Sequence, residues 1–71
     1  MAMLVTYQHM QNTASNVWTV NHNLNNYPIV DVMVYENGVM QKIIPQAVKI
    51  IDMNNCEIHF STQRTGQARL V

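Results

Sequence analysis

The sequence predicts an all-β fold, a small antiparallel β-sandwich or barrel-like module of about six or seven short strands. Three observations favour it: apolar and polar residues alternate over short segments, turn-forming residues recur at intervals of roughly ten residues, and no segment has sustained helical periodicity. The 71 residues are enough for one domain, spanning 1–71. Whether this is a complete protein or a piece of a longer chain is left open.

The first half of the chain is predicted to hold three strands separated by a loop and a turn. Residues 3–10 alternate as a strand does, and the small polar residues of 11–16 predict a loop. In 17–21, Trp18 and Val20 share one face, so Trp18 is the best candidate for the centre of the core. The asparagines of 22–26 predict a turn, and Pro28 directs the backbone into the next strand.

That next strand, 29–35, has two largely apolar faces. Its even-numbered positions are all valine, and its odd-numbered positions include Ile29, Met33 and Tyr35. A small sandwich buries only one face of a strand, so either the returning loop at 43–44 covers the second face or another protein does. Ile29, Met33 and Tyr35 are therefore a candidate subunit interface.

The second half of the chain is predicted to hold the remaining strands. Asn37-Gly38 favours a type I′ hairpin turn, which brings 39–41 back antiparallel, and Pro45 interrupts the ladder. Strand 47–52 follows, then a tight turn at 53–55, a strand at 56–61, a loop at 62–66 and a closing strand. Val48 and Ile50 share one face of their strand, and the side chains predicted to point inward from the strands that follow are Cys56, Ile58, Phe60, Ala68 and Leu70.

Composition restricts the class of partner. Apolar residues make up 48% of the chain and charged residues only 11%, which is low for a fully solvated surface, so we expect a partner to cover part of it. Four basic residues balance four acidic ones without forming runs, which argues against nucleic acid and against an anionic membrane. No apolar run approaches the ~20 residues of a membrane-spanning helix.

No catalytic, cofactor or metal site is predicted. The three histidines lack metal-ligand spacing, and Cys56 and His59 point to opposite faces of one strand. A metal on a three-fold axis would need only one ligand from each chain and stays open. No serine or cysteine lies in a strained turn beside a base, and Asp52 and Glu57, which could meet across a turn, suggest a solvated rim. We therefore predict a protein that is not an enzyme, with Cys56 as a buried thiol.

An ordered series of residues gives the chain a family resemblance. The anchors are Trp18-Thr19-Val20-Asn21-His22-Asn23-Leu24, Tyr27-Pro28, Asn37-Gly38, Pro45, Val48-Lys49-Ile50-Ile51-Asp52-Met53-Asn54, Phe60-Ser61 and Gly66-Gln67-Ala68-Arg69-Leu70. This series resembles a small β-domain recurrent in tailed-phage virion and tail-fibre-type proteins, over nearly the whole chain. Trp18, His22, Asn23, Leu24 and Pro28 form its structural motif. A glycine commonly follows Leu24 in that family; here Asn25 stands instead, and asparagine can adopt the same left-handed backbone.

The resemblance implies a non-enzymatic structural or attachment module of a phage particle, made in the host bacterial cytoplasm. Such modules belong to oligomeric appendages, so the expected partners are further copies of the chain, with a trimer favoured, and other virion proteins. One alternative is a receptor-binding module that holds a host glycan through Tyr7 and Tyr27, since tyrosine rings stack on sugars. Another is a capsid decoration or head-to-tail connector protein. His22 and Asn23 are expected to satisfy backbone groups of the turn rather than to bind a ligand.

Overall fold

The computed structural model describes residues 5–71 and contains, within them, five strands and no helix. The strands are β1 (Tyr7–Asn21), β2 (Val30–Glu36), β3 (Val39–Ile43), β4 (Ala47–Ile50) and β5 (Asn55–Leu70). All pair antiparallel in one sheet of order β1-β5-β2-β3, and β4 pairs with β5 off this path. The predicted all-β antiparallel class is confirmed. The start of the predicted first strand, at residues 3 and 4, lies outside the described residues.

The strands are fewer and longer than the six or seven short ones predicted. Segments 11–16 and 62–66, predicted as loops, are parts of β1 and β5. The two segments run beside each other: Gln11 pairs with Gly66 and Ser15 with Arg64, with register shifts on both sides of Ser15. The loop predictions were wrong because polar composition does not reveal a pairing partner some fifty residues away, and bulges keep such irregular segments in the sheet.

The two long strands bend at these register shifts. His9 and Trp18 are nine residues apart in β1, which in a straight strand corresponds to about 30 Å. Their ring centroids are 5.9 Å apart. The sheet therefore folds over on itself, so that the half containing β2 and β3 faces the half containing β4, as in a sandwich.

The hydrophobic core lies between the two halves. Trp18 is its largest fully buried side chain, and its ring centroid is 4.6 Å from that of Phe60. The buried cluster is Trp18, Val20, Val32, Val34, Cys56, Ile58, Phe60, Ala68 and Leu70. The inward faces predicted for the strands around these residues are confirmed, because alternation in sequence becomes alternation between core and solvent.

The connection after β2 follows the predicted turn chemistry. Asn37 and Gly38 have φ values of 53° and 77°, which confirms the hairpin turn with two positive φ angles. Ile43 packs against the core from the end of β3, whereas Ile44 is 95% exposed. The 43–44 segment therefore does not cover the second face of β2, and the alternative that relied on this loop was wrong.

Gly66 lies where β5 approaches β2 too closely for any side chain. A Cβ there would collide with the carbonyl oxygen of Met33 and lie 2.8 Å from the Cα of Val34. We expect Gly66→Ala to lower the free energy of unfolding by about 3 kcal/mol, since the backbone of β2 must move. Urea unfolding measures this.

Gly38→Ala is the matched control, because a Cβ at Gly38 would meet no atom within 4 Å. It has only the positive φ to accommodate, which costs about 1 kcal/mol. Equal losses for the two variants would contradict the explanation by close approach.

Candidate functional site

The candidate interface residues lie on the outer face of the sheet. Val32 and Val34 point into the core, with 1% and 0% of their surface exposed. Ile29 and Tyr35 on the opposite face are 75% and 52% exposed, and Met33 between them is half-buried. These three side chains lie on the side of the sheet away from Val32 and Val34, and their role as an interface stays a prediction.

Neighbouring strands extend this face. Gln67 of β5 pairs with Met33 on one side and with Met10 on the other, and Met40 of β3 pairs with Tyr35. The side-chain amide of Gln67 donates to the Sδ of Met40 at 3.6 Å. We call the surface formed by Met10, Ile29, Met33, Tyr35, Met40 and Gln67 the methionine face. Its flexible thioethers suit an adaptable contact with another protein.

Charged side chains lie within the methionine face: Lys42 pairs with Met33 in the strand register, and Asp31 stands between Ile29 and Met33. The Nζ of Lys42 is 3.1 Å from a carboxylate oxygen of Asp31, and the exposed Arg69 pairs with Asp31 in the strand register. An exposed ion pair of this kind contributes little to stability.

Hydrogen bonds of His22 stabilise the turn at residues 22–26. His22 is 3% exposed, its Nδ1 accepts the backbone N–H of Leu24 at 3.1 Å, and its backbone N–H donates to the carbonyl of Asn54. Its Nε2 is buried and has no hydrogen-bond partner within residues 5–71. Asn23 has a positive φ of 53°, as a tight reversal requires. The bond to Leu24 agrees with the expectation that His22 satisfies backbone groups of the turn.

The segment around Asp52 packs beside this turn. Asn25 has a φ of 54°, and its N–H donates to Oδ1 of Asn54 at 2.8 Å. The carboxylate of Asp52 accepts the backbone N–H of Asn54 and the side-chain amide of Asn55. These hydrogen bonds lower the pKa of Asp52 below its usual 3.8, because they favour the charged form. Pro28 then leads into Ile29.

The remaining reactive side chains are scattered. Cys56 is fully buried, and burial raises the pKa of its thiol, which keeps it neutral. Glu57 contacts Nε2 of His59 at 3.0 Å, and the carboxylate of Asp52 is taken up by its asparagine neighbours, so the predicted meeting of Glu57 with Asp52 does not occur. Within residues 5–71 no three His, Cys, Asp or Glu side chains group as a metal site, and no helix suits a membrane span.

The two tyrosines named as candidate glycan contacts have different surroundings. Tyr7 packs against the core, whereas Tyr27 is 66% exposed. Tyr27 lines an open depression of about 360 Å³ together with Ile50, Ile51 and Asp52. The sequence placed Val48 and Ile50 on one face of a strand and did not reveal that Ile50 and Ile51 are 43% and 58% exposed.

No family model, curated protein or solved structure matches this chain. The resemblance to the phage β-domain therefore rests on the order of the anchor residues, and any function has to be argued from the surfaces described above.

Substitutions at Asn25 test whether this turn requires a residue that readily adopts a left-handed backbone conformation. Because asparagine already occupies the left-handed region there, Asn25→Gly should change the free energy of unfolding by less than about 0.5 kcal/mol, whereas Asn25→Ala should lower it by about 1 kcal/mol. Both variants keep the N–H that binds Asn54. Thermal or urea unfolding distinguishes them, and equal losses would argue against backbone conformation as the constraint.

Asp52 makes stability depend on pH in acid. Its folded pKa is lowered, so its contribution is present above pH 3.8 and is lost as the pH falls through the folded pKa. We expect Asp52→Asn to be less stable than the wild type at neutral pH, and the difference to shrink below pH 3.8. Unfolding curves at a series of pH values measure this; a constant difference would show that the carboxylate charge is not involved.

Proposed function

We propose that this protein is a non-enzymatic structural module of a bacteriophage virion, a self-associating component of a tail or fibre. The observation that supports self-association most directly is the methionine face, an outer surface on which exposed apolar side chains surround one ion pair. The ordered anchors from Trp18 to Leu70 support the phage setting.

The energetics of the methionine face favour its being covered. Ile29 and Tyr35 are 75% and 52% exposed, and fully burying a large apolar side chain stabilises a complex by about 1.5–3 kcal/mol. Only 11% of the residues are charged, so little of the surface repels another copy. A trimer in which each copy covers the face of a neighbour satisfies this requirement, and contact with other virion proteins extends it.

A host-glycan-binding role is the second candidate. It is supported by Tyr27, which presents an exposed ring beside the carboxylate of Asp52 in one depression. A ring that stacks on a sugar and a carboxylate that accepts its hydroxyl groups are a common pair in glycan recognition. A decoration or connector role needs the same covered apolar face and differs in its place on the particle.

The solution mass tests self-association. We expect the wild type to have a mass that is a multiple of three chains across a dilution series in light scattering. Met33→Lys, which puts a second lysine opposite Lys42 on the methionine face, should lose this three-fold association while it still unfolds in a cooperative transition. Ile44→Lys is the control, because Ile44 is 95% exposed and lies outside the face. An unchanged mass for Met33→Lys would contradict the assignment of this face.

Immunogold labelling of phage particles tests the location. Label on tails or fibres supports the proposal, label on heads favours the decoration role, and unlabelled particles overturn the virion assignment. For the second candidate, Tyr27→Ala should abolish binding on a glycan array that the wild type binds; an array without signal for the wild type removes that candidate.

A further inference from the structure

We infer that Asn37 is a site of spontaneous covalent modification, at which its side-chain amide is lost by attack of the backbone nitrogen of Gly38, at a rate controlled by opening of β3. The inference does not depend on the proposed function or on the methionine face. It follows from the residue that comes after Asn37, from the free polar groups of its turn, and from the weak attachment of β3 to the rest of the sheet.

The reaction needs only the chain and water. The backbone nitrogen of Gly38 gives up its proton to the solvent and bonds to the side-chain carbonyl carbon of Asn37, and the amide nitrogen leaves as ammonia. The product is a five-membered succinimide ring. Water then opens the ring, at the side-chain carbonyl to give aspartate or at the main-chain carbonyl to give isoaspartate, in which the main chain continues through the side chain. The first step is intramolecular, so no partner has to be brought to the site.

The sequence leaves the attacking nitrogen uncrowded at this one asparagine. Asn37 is the only asparagine of the chain that is followed by glycine. Glycine has no Cβ, whereas a side chain on the following residue crowds the approach of its own backbone nitrogen. Asn12 and Asn16 are followed by the β-branched Thr13 and Val17. The same chemistry is therefore hindered at those two positions.

The structure leaves both reacting groups of the hairpin turn free. Asn37 and Gly38 are exposed, and within residues 5–71 no hydrogen bond engages the side-chain amide of Asn37 or the backbone N–H of Gly38. Asn54 and Asn55, by contrast, have side chains bonded to neighbouring groups of their turn. A Cβ placed at Gly38 would meet no atom within 4 Å, so water also reaches this site.

The turn has to open before the ring can close. Asn37 has a φ of 53°, in the left-handed region. In that conformation the nitrogen of Gly38 is turned away from the side-chain amide carbon, so the backbone of Asn37 must first rotate. Glu36 and Val39 pair directly across the turn and hold it closed. The reaction therefore proceeds from a state in which this end of the hairpin has come apart.

The strand that has to move is the one attached most weakly. β3 lies at the edge of the sheet and, within the part of the chain that the structure describes, pairs with β2 alone. Its residues 39–42 are exposed, and only Ile43 packs against the core. Segments with few buried apolar contacts open locally at low free energy. The rate of modification at Asn37 is thus set by how often β3 separates from β2.

Modification weakens the hairpin further. A type I′ turn joins its strands with two residues of positive φ, and the extra backbone carbon of isoaspartate prevents Glu36 from lying opposite Val39. Both products also place a new carboxylate next to Glu36, whose own carboxylate is 3.5 Å from the guanidinium of Arg64. Like charges in adjacent positions repel, so the modified turn closes less readily than the original one.

Peptide mapping by mass spectrometry tests the site. During incubation of the folded protein at neutral and mildly alkaline pH, we expect the mass shift of NH replaced by O at Asn37, in two products that chromatography separates. The rate should rise with pH, because the attacking nitrogen must lose a proton. Asn12 and Asn16, which are also exposed, are internal controls and should stay unmodified. No modification at Asn37, or equal modification at all three positions, overturns the inference.

The unfolded chain tests the role of glycine apart from the fold. In urea, Gly38→Ala should lower the rate at Asn37 at least about tenfold, which corresponds to about 1.4 kcal/mol in the barrier. An unchanged rate would show that the backbone nitrogen of residue 38 is not the attacking group.

Variants of β3 test control by opening. Ile43→Ala, which removes the core contact of β3, should raise the rate in the folded protein at least about fivefold. Ile44→Ala is the matched control and should keep the rate of the wild type, because Ile44 is 95% exposed. Val39→Gly loosens the strand without touching the core and should raise the rate about threefold. Equal rates in the wild type, Ile43→Ala and Val39→Gly, or a wild-type rate equal to that in urea, overturn control by β3.

Discussion

The fold depends on the hydrogen bonds of one indole group. The Nε1–H of Trp18 is shared between the carbonyl oxygens of Ser15, at 3.2 Å, and Arg64, at 3.1 Å. These two carbonyls belong to the irregular segments where β1 and β5 bend, so a single donor joins both bends. The same ring packs on Phe60 and fills the space between the halves of the sheet. One side chain thus stabilises both the bends of β1 and β5 and the packing between the two halves of the sheet. Its buried N–H has two hydrogen-bond acceptors and is therefore well satisfied.

The bend decides what the surface looks like. Because the sheet folds over at Trp18, the valines of β2 become its interior, and the methionine face becomes its exterior. The same fold-over brings a short strand, β4, to a flank that the opposite half does not cover. Two apolar surfaces on a chain with few charges are therefore consequences of one geometry rather than separate features.

Alternation in sequence predicted which side chains point inward, since this depends on neighbours one or two residues apart. It did not predict the length of β1 and β5, because Gln11 and Gly66 are polar or small and their pairing is set at long range. Ile29, Met33 and Tyr35 were assigned to one face from sequence because they alternate within one segment. Met10 and Met40 could be added to that face only from the pairing register between strands. Alternation put Val48 and Ile50 on one face, but it did not predict that Ile50 is 43% exposed, which follows from the absence of a described strand beyond β4.

Three side chains of types that often carry chemistry, His22, Asp52 and Cys56, have structural roles here. His22 accepts an N–H in its turn, Asp52 accepts two donors in the next one, and Cys56 fills the core. These polar side chains therefore stabilise the conformation of the turns. What the surface offers to other molecules is mainly apolar area and strand edges, and these suit assembly.

The central place of β5 also has a consequence for how the protein is made. Three of the other four strands pair with β5, and β5 is the last strand along the chain. While a ribosome is still translating residues 55–70, the earlier strands have no native ladder apart from the β2–β3 hairpin. The native ladder between β5 and its three partners therefore forms only after β5 has been synthesised, and the folding rate is set by contacts between distant parts of the chain, which form slowly.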